Sequence, residues 1–294
     1  QDPILTTVSI LFLIVFALEA GLLLFFWLPG SYSVPPTVVQ ALFAALLTKV
    51  GIYALFRTFT LMFPLNQDVT HLLIGIMAGV TIVAGCMGAL SGRDVRTIAT
   101  YNVIIGVGFI LIGLASGTET GFAGAIYYLV HDMLAKALLF LILGTVVYVT
   151  GETIVKNMSG LIRNYPLFGW IYFLVMCALA GIPPLSGFLG KVLIGQGAIE
   201  GQNYVLLTLG FASSVIVLYS LLRIFLASFF GETTISEADK KPIPKLAMVS
   251  FALLAIIIIS IGIAAEGMAP FVEDAARTLA NPSIYIEAIL GDME

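Results

Sequence analysis

The chain has 294 residues, of which 60% are apolar and only 10% are charged, and its mean hydropathy is +1.09. A soluble domain carries roughly 25% charged residues, so this composition excludes a soluble globular protein. The net charge of −4 gives no reason to expect nucleic acid as a partner. The two cysteines stand in separate apolar segments, which excludes a disulfide framework and a cysteine metal site.

Apolar segments follow one another along the chain, and each reaches the ~20 residues that a spanning helix needs. They cover approximately residues 4–28, 37–63, 71–91, 98–116, 123–149, 166–199, 204–230 and 247–266. The connections between them are too short to hold a soluble domain. The sequence therefore predicts an all-α polytopic membrane protein with about eight transmembrane helices.

The charges of the loops alternate in sign along the chain. Basic residues follow the third, fifth and seventh segments, and acidic residues stand in the loops after the second, fourth and sixth. Because basic loops are retained in the cytoplasm, we expect both termini to lie outside the cell membrane.

The sixth segment is interrupted by the stretch Leu179-Ala-Gly-Ile-Pro-Pro-Leu-Ser-Gly-Phe-Leu-Gly-Lys191. Adjacent prolines remove backbone donors and end a helix, and broken backbone at membrane depth persists only inside protein or beside a wet cavity. A lysine directly after the break is costly in the bilayer, so it marks a functional site. We therefore predict that Lys191 lies beside a hydrated cavity and that four residues form the break: Gly181, Pro183, Pro184 and Gly187.

Further ionisable residues stand inside the apolar segments, where each charge costs about 2.5–3.5 kcal/mol. In the fifth segment, Asp132 and Lys136 are four residues apart and can pair on one helix face. His131 stands beside them, and histidine suits proton relay because it titrates near neutral pH. Lys49 stands in the second segment and Glu19 in the first. A wet ion pathway and structural pairing both remain open for this set.

Several of these stretches resemble the D subunits of multisubunit Mrp-type cation/proton antiporters. They are also similar, more broadly, to the antiporter-like membrane subunits of respiratory complex I, membrane-bound hydrogenases and sulfane reductases. The stretches are Trp27-Leu-Pro-Gly-Ser-Tyr32, Leu46-Leu-Thr-Lys-Val-Gly-Ile-Tyr53, His131–Phe140, Leu179–Lys191 and Asn281–Leu290. The similarity runs nearly end to end and corresponds to the last eight of the family's fourteen spans.

The resemblance implies an organisation in three parts. Residues 1–64 would be a two-helix remnant of the first antiporter repeat, and residues 65–232 a complete second five-helix repeat that contains the broken helix. Residues 233–294 would form a cytoplasmic loop, the last helix and an outer tail. The family's ion pathway would then consist of Lys49, His131, Lys136 and Lys191, with Glu19 and Asp132 as charge partners.

The first half of the chain departs from the family's pattern. Glu19 occupies the position of a family lysine, and Leu24 that of the proline that breaks the helix. We therefore expect the first segment to be a continuous helix with a closed half-channel. We also expect Glu19 to lie near Lys49 on the next helix and to pair with it.

The resemblance implies a transport subunit of a larger complex in a prokaryotic cell membrane, which helps to move H+ or Na+ along these buried groups. The alternative is a shortened, degenerate relative that bridges an ion-translocating subunit and a redox module. The implied partners are other antiporter-like and small membrane subunits and the lipid bilayer, with a peripheral redox module in the alternative. The sequence has no nucleotide, haem or iron–sulfur motif, so we expect no cofactor, no metal and no redox catalysis in the chain itself.

Overall fold

The computed structural model describes residues 3–63, 67–232 and 240–291, and this part of the chain is helical without β-strands. Its first half contains α1 (Pro3–Ala20), α2 (Leu28–Ser33), α3 (Thr37–Leu42), α4 (Thr48–Arg57), α5 (Gln67–Ser91), α6 (Val95–Ser116) and α7 (Glu119–Thr150). Two π-helical stretches, Phe43–Leu47 and Thr58–Met62, join α3 and α4 into one apolar run. The remainder contains α8 (Leu161–Asn164), α9 (Pro166–Ala180), α10 (Ser186–Glu200), α11 (Tyr204–Phe229), α12 (Lys245–Ile263), α13 (Ala269–Ala280) and α14 (Pro282–Leu290).

Six helical runs among the described residues are long and apolar enough to cross a bilayer, namely the α3–α4 run and helices α5, α6, α7, α11 and α12. Helices α1 and α9 are shorter apolar helices, and α9 continues after a break as α10. These segments follow the order predicted from the sequence. The protein is an all-α polytopic membrane protein.

Helices α6 and α7 form the centre of the bundle. Almost every residue of α6 is buried, and the 32-residue α7 packs against α3, α6, α9, α10, α12 and α13. The outer helices α1, α5, α11 and α12 expose many large apolar side chains. Extensive exposed apolar surface of this kind is typical of contact with lipid or with other membrane subunits.

The sixth segment is divided where the sequence predicts. Helix α9 ends at Ala180, and Gly181 has a φ of +86°, a left-handed conformation that glycine adopts without strain. The N–H groups of Gly181 and Ile182 both donate to the carbonyl of Cys177, at 3.1 and 3.0 Å, which is a common way to end a helix. The Pro183–Pro184 peptide is cis, and α10 follows from residue 186.

The expectation of a continuous first helix is wrong. Helix α1 ends at Ala20, and the next residue, Gly21, is left-handed with a φ of +72°. The N–H of Leu22 donates to the carbonyl of Ala17 at 2.8 Å, the same bond from five residues back that ends α9. A glycine therefore ends this helix without the proline of the family's pattern.

A side chain of α5 supports the irregular backbone after α1. Leu23 also has a positive φ, +62°, and its N–H donates to Thr81 Oγ1 at 2.7 Å. The same hydroxyl donates to the carbonyl of Met77 at 2.6 Å. Because a backbone donor at membrane depth needs a partner, Thr81 stabilises the turn that replaces the predicted helix.

Helix α1 packs so closely on α4 that a side chain at Gly51 would not fit. A Cβ atom there would lie 2.7 Å from the Cα of Ala20 and 2.8 Å from the carbonyl carbon of Glu19. We expect Gly51→Ala to destabilise the protein by about 1–3 kcal/mol, the usual cost of overpacking, and to lower the melting temperature. Gly30→Ala is the control, because no atom lies within 4 Å of the added methyl group. Equal melting of the two variants would contradict this packing.

Candidate functional site

Buried ionisable side chains lie together in the middle of the bundle, although their helices are far apart in the sequence. Lys49 comes from α4, Lys191 comes from α10, and His131, Asp132 and Lys136 come from α7. Each is at most 5% exposed. A charge buried to this degree needs partners, because its transfer out of water is otherwise strongly unfavourable.

Asp132 is the carboxylate at the centre of this group. Its Oδ2 atom lies 2.7 Å from Lys49 Nζ, and its Oδ1 atom lies 3.5 Å from Lys136 Nζ. Helix α6 can approach the carboxylate because Gly106 has no side chain, and a Cβ there would lie 3.0 Å from Oδ1. Two lysines from two helices therefore share one carboxylate, so the pair expected from the spacing within α7 is joined by a second pair between helices.

Backbone carbonyls provide further partners for both lysines. Lys49 Nζ donates to the carbonyl of Ala44 at 3.1 Å, and Lys136 Nζ donates to the carbonyl of Asn102 on α6. The side-chain amide of Asn102 donates to Ser220 Oγ at 3.1 Å. The polar contacts therefore extend from α4 through α7 and α6 to α11.

His131 faces the beginning of α10. Its Nδ1 atom lies 2.7 Å from Ser186 Oγ, and its ring centroid lies 5.3 Å from that of Tyr128. In the described part of the chain its Nε2 atom has no hydrogen-bond partner. This nitrogen lies against Gly187, where a Cβ would be 2.8 Å away. Glycine at this position makes room for the imidazole.

Lys191 binds the carboxyl end of α9. Its Nζ atom donates to the carbonyls of Leu179 and Ala180, at 2.9 and 3.0 Å. In an unbroken helix these carbonyls accept from the N–H groups four residues further on. Those residues are Pro183 and Pro184, which have no N–H. The lysine therefore supplies the donors that the two prolines lack.

Three other groups surround the Lys191 ammonium. Ser214 Oγ on α11 accepts from it at 2.9 Å. The ring centroids of Phe109 and Tyr128 lie 5.4 and 5.7 Å from Nζ, within the range of a cation–π contact. The side chain runs beside Gly181, where a Cβ would lie 2.8 Å from Lys191 Cδ. The end of α9 is thus a built site for a positive charge.

A small cavity connects Lys136 to Lys191. It has a volume of about 10 Å³ and is lined by Asn102, Ile105, Gly106, Phe109, Tyr128, Lys136, Leu179, Lys191, Ser213 and Val217. This volume is close to the smallest that holds one water molecule. Two larger grooves, of about 520 and 390 Å³, lie elsewhere in the bundle and contain none of the predicted ion-pathway residues.

The expected pair between Glu19 and Lys49 is wrong. The Glu19 side chain is exposed, whereas Lys49 is buried and pairs with Asp132 at 2.7 Å. Helix α1 meets α4 through its own backbone at Gly51, and this contact leaves the Glu19 side chain on the outer face of α1.

Several polar partners in the site are not predicted from the sequence, namely Asn102, Ser186 and Ser214. An amide inside a predicted membrane span is a usable signal, so Asn102 could have been found. Serines give a weaker signal because they often bond to a carbonyl of their own helix, as Ser214 Oγ does to the carbonyl of Gly210 at 3.3 Å. Their contacts with His131 and Lys191 depend on tertiary structure.

A family model and a known relative both match this chain. Residues 1–218 match the family model described as "NADH:quinone oxidoreductase/Mrp antiporter, TM". The chain is 43% identical over 291 residues to the D subunit of the Na(+)/H(+) antiporter of Bacillus subtilis (strain 168), covering 99% of this chain and 59% of that protein. The chain thus spans little more than half the length of this relative.

Solved structures show the same fold. A chain of the Mrp complex from Dietzia sp. DQ12-45-1b superposes with a TM-score of 0.91 and 26% identity, over 99% of this chain and 62% of that one. A chain of respiratory complex I from Thermus thermophilus superposes with a TM-score of 0.85 and 25% identity, over 95% and 59%.

The carboxylate of Asp132 that two lysines share leads to a testable prediction about stability. Asp132→Asn leaves two buried lysines without a counter-charge and should cost about 3–5 kcal/mol. Adding Lys49→Met removes one of these charges, so the double variant should be more stable than Asp132→Asn alone. Thermal unfolding in detergent measures both changes. Glu19→Gln is the control and should unfold like the unmodified protein. A double variant that is less stable than Asp132→Asn would contradict the pairing.

Proposed function

The chain belongs to the NADH:quinone oxidoreductase/Mrp antiporter transmembrane family, and from this we propose that it moves H+ or Na+ across the cell membrane as an antiporter-like subunit of a larger complex. One observation carries the proposal. Asp132 is in direct contact with both Lys49 and Lys136, and one cavity is lined by both Lys136 and Lys191. A polar route therefore crosses the apolar interior from α4 to α10.

The balance of charges in this route favours transfer over fixed pairing. The route contains three lysines but only the carboxylate of Asp132, so the charges are not all neutralised when all three lysines are protonated. A like charge nearby raises the free energy of a charged group, and an opposite charge lowers it. The arrival or loss of one positive charge therefore alters the free energy of the next site. A chain of such sites can pass charge in steps.

The exposed break in the sixth segment is an argument for a partner subunit on this face of the bundle. Ile182, Pro183 and Pro184 are exposed, while Lys191 is buried beside them. Irregular backbone at membrane depth is tolerated only where protein or water covers it. We propose that a neighbouring membrane subunit covers the break. The similar chains from Dietzia and Thermus belong to complexes, which agrees with this arrangement.

The bridging alternative rests on the altered charges of the first half, where Glu19 occupies the position of a family lysine. The end of α1 argues against a fully degenerate first half, because α1 ends at Ala20 in the same manner as α9 ends at Ala180. The polar residues of the second half are also in contact with one another or beside one cavity. We therefore favour ion transport over a purely structural role.

We also propose the division into residues 1–64, 65–232 and 233–294. Both broken segments have an alanine and a left-handed glycine where the helix ends. The stretch Tyr53-Ala-Leu-Phe-Arg57 on α4 resembles Tyr219-Ser-Leu-Leu-Arg223 on α11. Internal repeats of opposite orientation are common in transporters, and this similarity supports a partial first repeat followed by a complete second one.

Labelling in sealed cells tests the proposed orientation, with both termini outside. After Cys86 and Cys177 are replaced, a maleimide that cannot cross membranes should modify Gln202→Cys and should not modify Lys241→Cys. Both positions are exposed in the structure, so burial does not explain protection. Opening the cells should make Lys241→Cys reactive. If only Lys241→Cys is labelled in sealed cells, the proposed orientation is wrong and both termini lie inside.

A lysine substitution tests transport itself. Lys191→Ala removes the ammonium between the cavity and the end of α9, so coupled ion movement should be abolished. Proton flux into vesicles that contain the complex measures this loss, and co-purification of the subunits shows whether the complex still assembles. Lys156→Ala, at an exposed lysine, should transport normally. An assembled Lys191→Ala complex with the normal rate would contradict the proposed function.

A further inference from the structure

The end of α9 presents two carbonyl oxygens that the protein backbone cannot satisfy. The N–H groups of Gly181 and Ile182 donate to carbonyls further back in the helix. Among the described residues, only Lys191 Nζ donates to the carbonyls of Leu179 and Ala180. Unpartnered polar groups in an apolar interior are costly. These two oxygens therefore need a hydrogen-bond donor or a cation even when the Lys191 side chain moves away.

The position of the ammonium is already a coordination site. Three oxygens surround it at 2.9–3.0 Å, from the carbonyls of Leu179 and Ala180 and from Ser214 Oγ. The carbonyl end of a helix carries a partial negative charge. Carbonyl and hydroxyl oxygens are also the ligands that unhydrated alkali cations use in channels and transporters. These three oxygens are therefore suitable ligands for a monovalent cation as well as acceptors for the lysine ammonium.

We propose that the oxygens of Leu179, Ala180 and Ser214 form a binding site for an alkali cation, in which the Lys191 ammonium stands when no ion is bound. The proposal deepens the proposed function, on which it rests. Ion and ammonium exclude each other because both need the same three oxygens. The cavity beside Lys191, of about 10 Å³, lies toward Lys136 and gives room for one water ligand or for the displaced ammonium, but not for both.

The size of the site leaves Na+ and K+ as the two candidates. The present distances of 2.9–3.0 Å suit an ammonium ion and a cation as large as K+. A smaller ion such as Na+ needs closer oxygens, about 2.3–2.6 Å as for Ca²⁺. The two carbonyls can close in because no backbone N–H of the described residues fixes them. Competition between the two ions in the experiment decides which one the site prefers.

The test measures binding of ²²Na+ to the purified complex that contains the full chain. Lys191→Met removes the charged end of the side chain and keeps an apolar chain that is shorter by one atom, so it should add one Na+ per complex or tighten binding at least tenfold relative to the unmodified protein. Adding Ser214→Ala removes one ligand and should weaken that binding at least tenfold. Unlabelled K+ that displaces ²²Na+ at lower concentration than unlabelled Na+ identifies a potassium site, and the reverse order identifies a sodium site.

Ser228→Ala in the Lys191→Met background is the matched control. Ser228 is a buried serine of the same helix as Ser214, and its hydroxyl contacts Met158 Sδ at 3.4 Å. This control should retain the gained binding. No gain of Na+ binding in Lys191→Met would overturn the proposal, and so would a gain that Ser214→Ala leaves unchanged.

A second measurement is available if the Lys191→Met complex does not assemble. Ser214→Ala alone should raise the KM for the transported cation severalfold, with Ser228→Ala unchanged, and equal KM values for the two variants would overturn the site. These experiments distinguish failure of the cation site from failure of the proposed function. If Lys191→Ala abolishes transport while Lys191→Met gains no cation, the transport role stands and the binding site does not.

Discussion

The ionisable centre of this protein depends on the contact of one carboxylate with two lysines in an apolar interior. Asp132 lies 2.7 Å from Lys49 and 3.5 Å from Lys136, and none of the three is more than 4% exposed. Removing one member of such a buried group costs more than removing a matched pair. The arrangement therefore fixes α4 against α7, and the missing side chain of Gly106 allows α6 to close over the carboxylate.

A second constraint comes from the backbone of the broken helix. Pro183 and Pro184 leave the carbonyls of Leu179 and Ala180 without helical donors, and Lys191 replaces those donors. The feature that breaks the helix thus also positions Lys191. Because backbone oxygens hold it, the ammonium can leave without stranding a carboxylate. This differs from Asp132, whose two lysine partners make it a fixed point of the route.

The sequence predicts the class of fold, the order of the spans and the broken sixth segment, because long apolar runs and paired prolines act locally. It also identifies the lysines and the histidine of the site, since such residues are rare in apolar segments. It does not predict the pair between Lys49 and Asp132, which are 83 positions apart and meet only through helix packing. Position along the chain favours Glu19 as the partner of Lys49, but the outward rotation of α1 exposes the glutamate. The sequence does not predict the end of α1, because a left-handed glycine ends this helix and the hydroxyl of Thr81 binds the backbone after it. No proline is involved, in contrast to the break after α9.

The central claim is that one polar route joins Asp132 to Lys191 through internal water. A cryo-electron microscopy map of the intact complex, at a resolution that shows ordered water, tests it most directly. We expect one water in the cavity between Lys136 and Lys191, within hydrogen-bond distance of both ammonium groups. A dry gap there, closed by contact between Phe109 and Leu179, would contradict the route.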